Sequence, residues 1–211
     1  MRIVAISDTH GRHKKIKLPE ADTIVVTGDV TPCVEIPMLG SFLKWLSKQP
    51  HGYKVIIAGN HDWCFQEEEH ALARQMCRDN GIVYLEDRGV NIEGVNFYGS
   101  PWQPEFCNWA FNLKRGMDLL EKWQYIPDDT DVLLTHGPPA GILDQVYNRD
   151  EHLGCEDLRN EISNRIQPKV HVFGHIHSAH GNQIHEGVRF VNASVLGENY
   201  MPAFGPEVFD V

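Results

Sequence analysis

Five short apolar runs, each followed at once by residues able to bind a metal, constrain this chain more than any other feature. Arg2–Ser7 (RIVAIS) leads into Asp8 and His10, and Thr23–Thr27 (TIVVT) into Gly28 and Asp29. Lys54–Ala58 (KVIIA) leads into Gly59, Asn60 and His61, Asp131–Thr135 (DVLLT) into His136, and Lys169–Phe173 (KVHVF) into Gly174, His175 and His177. Nearly continuous Val- and Ile-rich runs suit strands buried on both faces of a helix-covered sheet. Open α/β sheets bind ligands beyond the carboxyl ends of their strands. Donors separated by more than a hundred positions are therefore expected to meet at one edge of the fold.

Helical patterns fall between these runs. Leu39–Lys48, Glu67–Asp79, Gly116–Trp123 and Glu156–Ile166 are the candidates, and strands alternating with helices indicate an α/β architecture. Val90–Tyr98 and Gln183–Asn192 alternate apolar and polar residues around a Glu-Gly pair, as antiparallel hairpins do. Ile82–Leu85 and Val208–Val211 are shorter strand candidates. Their number exceeds one simple sheet, so two sheets flanked by helices are expected. No Pro/Gly/Ser-rich linker divides the chain, and residues 1–211 are read as one domain. The stretch Gly99–Asn112 (GSPWQPEFCNWAFN) reads either as a functional loop or as a surface loop packing its own aromatics.

The 211 residues are 42% hydrophobic with a formal net charge of −10. That balance disfavours a long nucleic-acid partner, whose affinity rests on many Lys and Arg contacts to phosphate. A small phosphate substrate stays open, because bound metal ions reverse the local field. The five cysteines, Cys33, Cys64, Cys77, Cys107 and Cys155, are odd in number and form no CxxC, as expected of free thiols in a reducing compartment. Cys64 is expected to pack rather than to bind metal. The N-terminal segment does not read as a signal peptide, and no apolar run nears the roughly 20 residues that cross a bilayer. The expectation is a cytoplasmic protein without membrane association.

His nitrogen with Asp and Asn oxygen is a borderline-to-hard donor set that suits Mn, Zn, Fe or Co. Two carboxylates offset only part of the charge of two divalent ions. Glycines before Asp29, Asn60 and His175 permit close backbone approach. Each motif alone is common, but five in the same place relative to a strand are not easily coincidental. His51, His70, His152, His171, His180 and His185 fall outside the motifs and are expected to pack.

Asp8-Thr9-His10, Gly28-Asp29, Gly59-Asn60-His61-Asp62, His136 and Gly174-His175-Ile176-His177 together resemble the calcineurin-like metallophosphoesterase superfamily. Within it, ISDTHGR, YGSPW, WAFNLKRG, LLTHGPPAGILD and VNAS make the chain most similar to the metallophosphoesterase-domain-containing phosphodiesterases. That resemblance implies a four-layer α-β-β-α sandwich of two mixed sheets flanked by helices. It implies two divalent metal ions, manganese first, with Fe, Zn, Co or Mg as alternatives. One ion would sit on Asp8, His10, Asp29 and His177, the other on Asp29, Asn60, His136 and His175, with Asp29 bridging. Some mammalian members have Gly in place of the first His of G-H-x-H; His175 here implies a competent site.

The reaction so implied is hydrolysis of a phosphodiester, a cyclic nucleotide or another small ester, with Asn60 and His61 as catalytic groups. His61 would face the phosphate without binding metal. Asp62 would either orient His61 or a neighbouring ligand, or serve as an N-terminal carboxylate of the Glu67–Asp79 helix. Trp102, Phe106 and Trp109 could stack on a base, and Arg12 or His13 could contact phosphate. The expected partner is a small phosphoester, a nucleotide among the candidates, with no stable nucleic-acid complex; the chain would be a monomer or homodimer. The alternatives are a phosphomonoesterase or nuclease on the same centre, a non-catalytic nucleotide-binding protein, and a mononuclear metalloprotein.

Overall fold

All five apolar runs form strands. The structure, a computed structural model, describes residues 1–32 and 36–211, so Cys33 lies outside the described residues. In chain order the elements are β1 (Arg2–Ile6), β2 (Thr23–Thr27), α1 (Ile36–Ser47), β3 (Tyr53–Ile57), α2 (His70–Asp79), β4 (Val83–Tyr84), β5 (Arg88–Ile92), β6 (Val95–Ser100), β7 (Gln103–Pro104), β8 (Asn112–Leu113), α3 (Met117–Gln124), β9 (Val132–Thr135), α4 (Glu156–Glu161), β10 (Val170–Phe173), β11 (Gly181–His185), β12 (Val188–Asn192) and β13 (Glu207–Asp210).

One sheet has the order β13-β1-β2-β3-β4, the other β11-β12-β10-β9-β6-β5. Each is mixed. Strands β1 to β4 run parallel with β13 antiparallel at one edge, and β12, β10, β9 and β6 run parallel between two antiparallel hairpin strands. The hairpins turn at Glu93-Gly94 and Glu186-Gly187, with positive φ at both residues of each pair, as the twist of two-residue hairpins requires. Met1 and Val211 close the first sheet with mutual backbone bonds of 2.8 and 3.0 Å.

Strand alternation sorts the core into layers. Ile3, Ala5, Val25, Val55 and Ile57 point inward, against Phe97, Val132, Leu134, Val172 and Val191 of the second sheet. Val4, Ile6, Ile24, Val26 and Ile56 point outward, under Leu39, Phe42 and Leu43 of α1 and Ala73 and Cys77 of α2. On the far side, Leu133, Phe173 and Phe190 meet Leu119 and Trp123 of α3 and Leu158 of α4. The result is the four-layer arrangement, helix–sheet–sheet–helix. Burial on both faces accounts for the almost unbroken hydrophobicity of the runs.

Three details differ from the sequence reading. Helix α1 begins at Ile36, and α2 only at His70, because the chain after Asp62 first forms a 3₁₀ turn, Trp63–Phe65. The expected Glu156–Ile166 helix is α-helical to Glu161 and π-helical over Ile162–Ile166. The aromatic stretch after Ser100 contains a short parallel ladder, Gln103 opposite Asn112 and Pro104 opposite Leu113.

Close approach of the sheets leaves no room at Gly99, where a Cβ would lie 2.6 Å from both Ile57 Cγ2 and Leu85 Cβ. Gly99→Ala is expected to destabilise by about 1–3 kcal/mol, as overpacking does, measured by urea unfolding. His171 is fully buried in β10, with Nε2 2.7 Å from Thr135 Oγ1 and its ring against Phe173 and Phe190. Burial pushes its pKa down to about 3. The unfolded chain protonates this group near 6.5 and the folded chain does not, so stability falls as pH drops below that value. From pH 7 to pH 5 the wild type should lose about 2 kcal/mol more than His171→Gln, by urea unfolding at both pH values.

Candidate metal centre

The ends of β1, β2, β9, β10 and β12 are tied to their neighbours, within and across the sheets. Ser7 N donates to Ala193 O, Asp8 N to Gly28 O, His10 N to Asp29 O and Gly174 N to His136 O, at 2.8–3.1 Å. To bend so sharply past a strand end, the backbone enters the left-handed region at Asp8, His10, Asp29 and His175, with φ of 56°, 39°, 51° and 69°. Such conformations are uncommon outside glycine and concentrate at functional sites. Gly28 has φ +98°, and a Cβ there would also lie 2.6 Å from Gly59 N and 2.7 Å from His136 Nδ1. At Gly174 a Cβ would run into the Ser7 hydroxyl and the Asp8 carboxylate.

These turns bring the motif residues together. Donor atoms of Asp8, His10 and His177 lie within 4.8 Å of one another, as do those of Asp8, Asp29 and His136 and those of His10, Asp29 and His61. Asn60 Oδ1 is 2.9 Å from His136 Nε2, which is 3.5 Å from Asp29 Oδ1. The ring of His175 lies 5.0 Å from that of His136, and its backbone N–H donates to Asp8. Nδ1 of His136 donates to Thr27 O and Nδ1 of His177 to Gly197 O, which turns each Nε2 toward the centre. His10 Nε2 and His177 Nε2 face each other at 3.4 Å. Lone pairs of nitrogen and oxygen thus converge where few donors face them, which is the chemistry of a divalent-cation site. The donor set fits the two-ion centre.

The electrostatics follow from this crowding. Burial alone would raise the Asp8 carboxyl, but the hydrogen bond and charge of His177, with His136 and His10, hold it well below the carboxylate range. Asp29 is held low in the same way, against its burial, by His136 and then by His10 and His61. Burial works against protonation of His136 and His177, yet Asp29 raises the first to about 9 and Asp8 the second to about 9. Burial, then the charge of His136, brings His175 down to about 3.

His61 lies beside this cluster, its backbone N–H on Asp29 Oδ1 at 2.8 Å and Nδ1 on Pro32 O at 2.8 Å. Nε2 is 3.9 Å from Asp29 Oδ2. Trp109 stacks on the His61 ring at 4.2 Å, and Phe106 meets His175 edge-on at 5.2 Å. A backbone bond from Ala110 N to Asn60 O and a bond from Phe111 N to the Gln66 side-chain Oε1 pin this aromatic loop to the segment that follows β3. Phe111 of this loop is buried in the core, as the packing reading expects.

One expectation needs correction. Trp102 does not face the site: its Nε1 donates to Asp87 at 2.8 Å, Lys122 Nζ lies 4.4 Å over its ring, and Phe111 meets it edge-on. Of the readings open for Asp62, support of neighbouring candidate ligands agrees with the structure, whereas a cap on α2 does not. Fully buried, it accepts from Val30 N, Thr31 N, Thr31 Oγ1 and Gly59 N, and so clamps the Asp29 loop to the Asn60 loop. Burial, then the charge of Asp29, raises its pKa to about 6 despite those bonds. Arg12 is half-buried on the turn after His10. His13 packs against Phe42 and Trp45, away from the cluster, and Cys64 is buried in the core.

Ser194, whose Oγ donates to Asp8 Oδ2 at 2.7 Å, belongs to the site and was missed. The signal was present: β12 is another apolar strand followed by polar residues, Asn192-Ala-Ser194.

A family model of calcineurin-like phosphoesterases matches residues 1–179. The chain belongs to this family. It is 40% identical to human metallophosphoesterase domain-containing protein 1 over 230 residues, covering all of this chain and 71% of that protein. It is also 40% identical to UPF0046 protein T07D4.2 of Caenorhabditis elegans, covering all of this chain and 60% of that one. A phosphopantetheinyl hydrolase structure from Mycobacterium tuberculosis superimposes with TM-score 0.66 at 16% identity, over 94% of this chain and 90% of that one, and shows the shared fold. The family uses a dinuclear divalent metal centre, and the Asp/His groups of this chain could hold such ions. Among the described residues, no helix is long and apolar enough to cross a membrane.

Because Asp62 holds two ligand loops at once, Asp62→Ala is expected to weaken metal binding by about 10–100-fold, the usual effect of losing a residue that orients ligands. Calorimetric titration of the metal-stripped protein with Mn²⁺ checks this.

Proposed function

We propose that this chain is a dinuclear-metal phosphodiesterase for small phosphodiesters, cyclic nucleotides among them. The observation that carries the reading is the convergence of Asp8, His10, Asp29, Asn60, His136, His175 and His177 on one point, with His61 beside it. One ion would be held by Asp8, His10, Asp29 and His177, the other by Asp29, Asn60, His136 and His175. When bound, such a pair supplies Lewis acidity and a water acidic enough to attack phosphorus near neutral pH.

The chain's own groups do the rest. Asn60 turns Oδ1 to His136, which leaves its amide N–H groups for a phosphoryl oxygen. With Nδ1 of His61 engaged by Pro32 O, Nε2 is the atom left to carry a proton to the leaving alkoxide. Trp109 and Phe106, on the rings of His61 and His175, offer apolar surface to an organic ester group. Arg12 remains a candidate phosphate contact, as its turn follows His10 directly.

His61→Ala is expected to keep two equivalents of metal while kcat falls by about 10²–10⁴-fold. Asp29→Ala is expected to lose metal and activity together. Elemental analysis beside turnover of bis(p-nitrophenyl) phosphate, p-nitrophenyl phosphate and the 2′,3′- and 3′,5′-cyclic nucleotides tests both. An unchanged kcat in His61→Ala removes the acid role, and a preference for the monoester removes the diesterase reading.

A further inference from the structure

Tyr200 stands over the centre yet belongs to no motif. It sits near the tip of the loop Gly197–Met201, which is closed by bonds from Gly197 N to Met201 O, 2.9 Å, and from Tyr200 N to Gly197 O, 2.8 Å. Its φ is +57°, a backbone region that bulky side chains seldom enter and that the surrounding structure must enforce. The ring rests edge-on against His10, centroids 4.9 Å apart, and against His177, 5.3 Å apart. The carbonyl of Gly197, in the same loop, accepts from His177 Nδ1. Tyr200 is nevertheless 45% exposed. Strained backbone thus holds an aromatic ring against two candidate ligands and leaves much of it open to solvent.

A second ring occupies a matching place elsewhere. Trp109 stacks on His61, and His61 meets His10 at 4.7 Å, so the rings form a string Trp109–His61–His10–Tyr200 along one side of the centre. A phosphomonoester has one organic substituent and can cover only one end of that string. A phosphodiester has two. Exposed aromatic surface beside a polar centre gains from being covered, and aromatic contacts add to the area term.

We propose that Tyr200 is a specificity-determining residue, the wall that takes the second organic substituent of a phosphodiester while Trp109 takes the first. This rests on the phosphodiesterase reading of the same centre. The tyrosine ring thereby favours diesters with a bulky flat second group over monoesters and over diesters with a small one.

The test uses the manganese-reconstituted full chain as wild type, Tyr200→Phe and Tyr200→Ala. For bis(p-nitrophenyl) phosphate, Tyr200→Ala should raise KM about three- to tenfold with kcat within about twofold, and Tyr200→Phe should resemble the wild type. For methyl p-nitrophenyl phosphate, KM should be the same in all three. Calorimetric binding of diphenylphosphinate and dimethylphosphinate, which cannot be hydrolysed, reads the contact without turnover. Only the diphenyl compound should weaken in Tyr200→Ala. Equal weakening of both phosphinates, or loss of metal from Tyr200→Ala by elemental analysis, would mean that the ring merely packs the histidines, and overturns the proposal. A wild type inactive on both esters overturns the phosphodiesterase reading, and this assignment with it, whereas equal phosphinate weakening in an active enzyme overturns the Tyr200 assignment alone.

Discussion

Two buried carboxylates, Asp8 and Asp29, set the terms for the rest of this structure. A carboxylate taken out of water costs several kcal/mol unless opposite charge and hydrogen-bond donors replace its hydration. Asp8 gains the hydroxyl of Ser194 and the amide of His175, and Asp29 gains the amide of His61. These partners come from different strands of different sheets. The carboxyl ends of strands from the two face-packed sheets must therefore be held together at this point, in the register that the Ser7–Ala193 and His136–Thr27 bonds record. Imidazoles fill the remaining directions, and their nitrogens, like the carboxylates, favour a cation in their midst.

Support for the ligands is spread over residues with no chemistry of their own. Asp62 follows the candidate catalytic histidine directly but serves two backbone loops rather than the imidazole. Gln66 and the Asn60 carbonyl hold the aromatic loop. The loop of Phe106 and Trp109 is thus tied to the loop that carries Asn60 and His61. On the proposed reading, that tie would couple recognition to the placement of the reacting groups.

Strands and motif residues were legible because each strand is buried on both faces and its polar end sits at a fixed place. Burial leaves a nearly unbroken apolar run, and the sheet edge decides what may follow it. What could not be read depends on contacts that no local pattern encodes. Trp102 and Trp109 share one short stretch, and contacts with Asp87, Lys122 and Phe111 hold the first of them in another place. The acids Glu67–Glu69 suggested a helix start, but the turns continuing from Asp62 delay it to His70. Tyr200 carries no spacing signal, since its place follows from the closure of the Gly197–Met201 loop over His177.

The pairing of Met1 with Val211 has a practical side. Strand β1 starts beside Met1 and runs toward Asp8, while β13 runs back the opposite way, so Met1 and Val211 sit at the end of the sheet opposite Asp8 and His10. An affinity tag, a fluorescent fusion or a surface tether added at either end would hang from the back of the molecule. The protein can be immobilised or labelled there with the mouth of the site left facing the bulk solution.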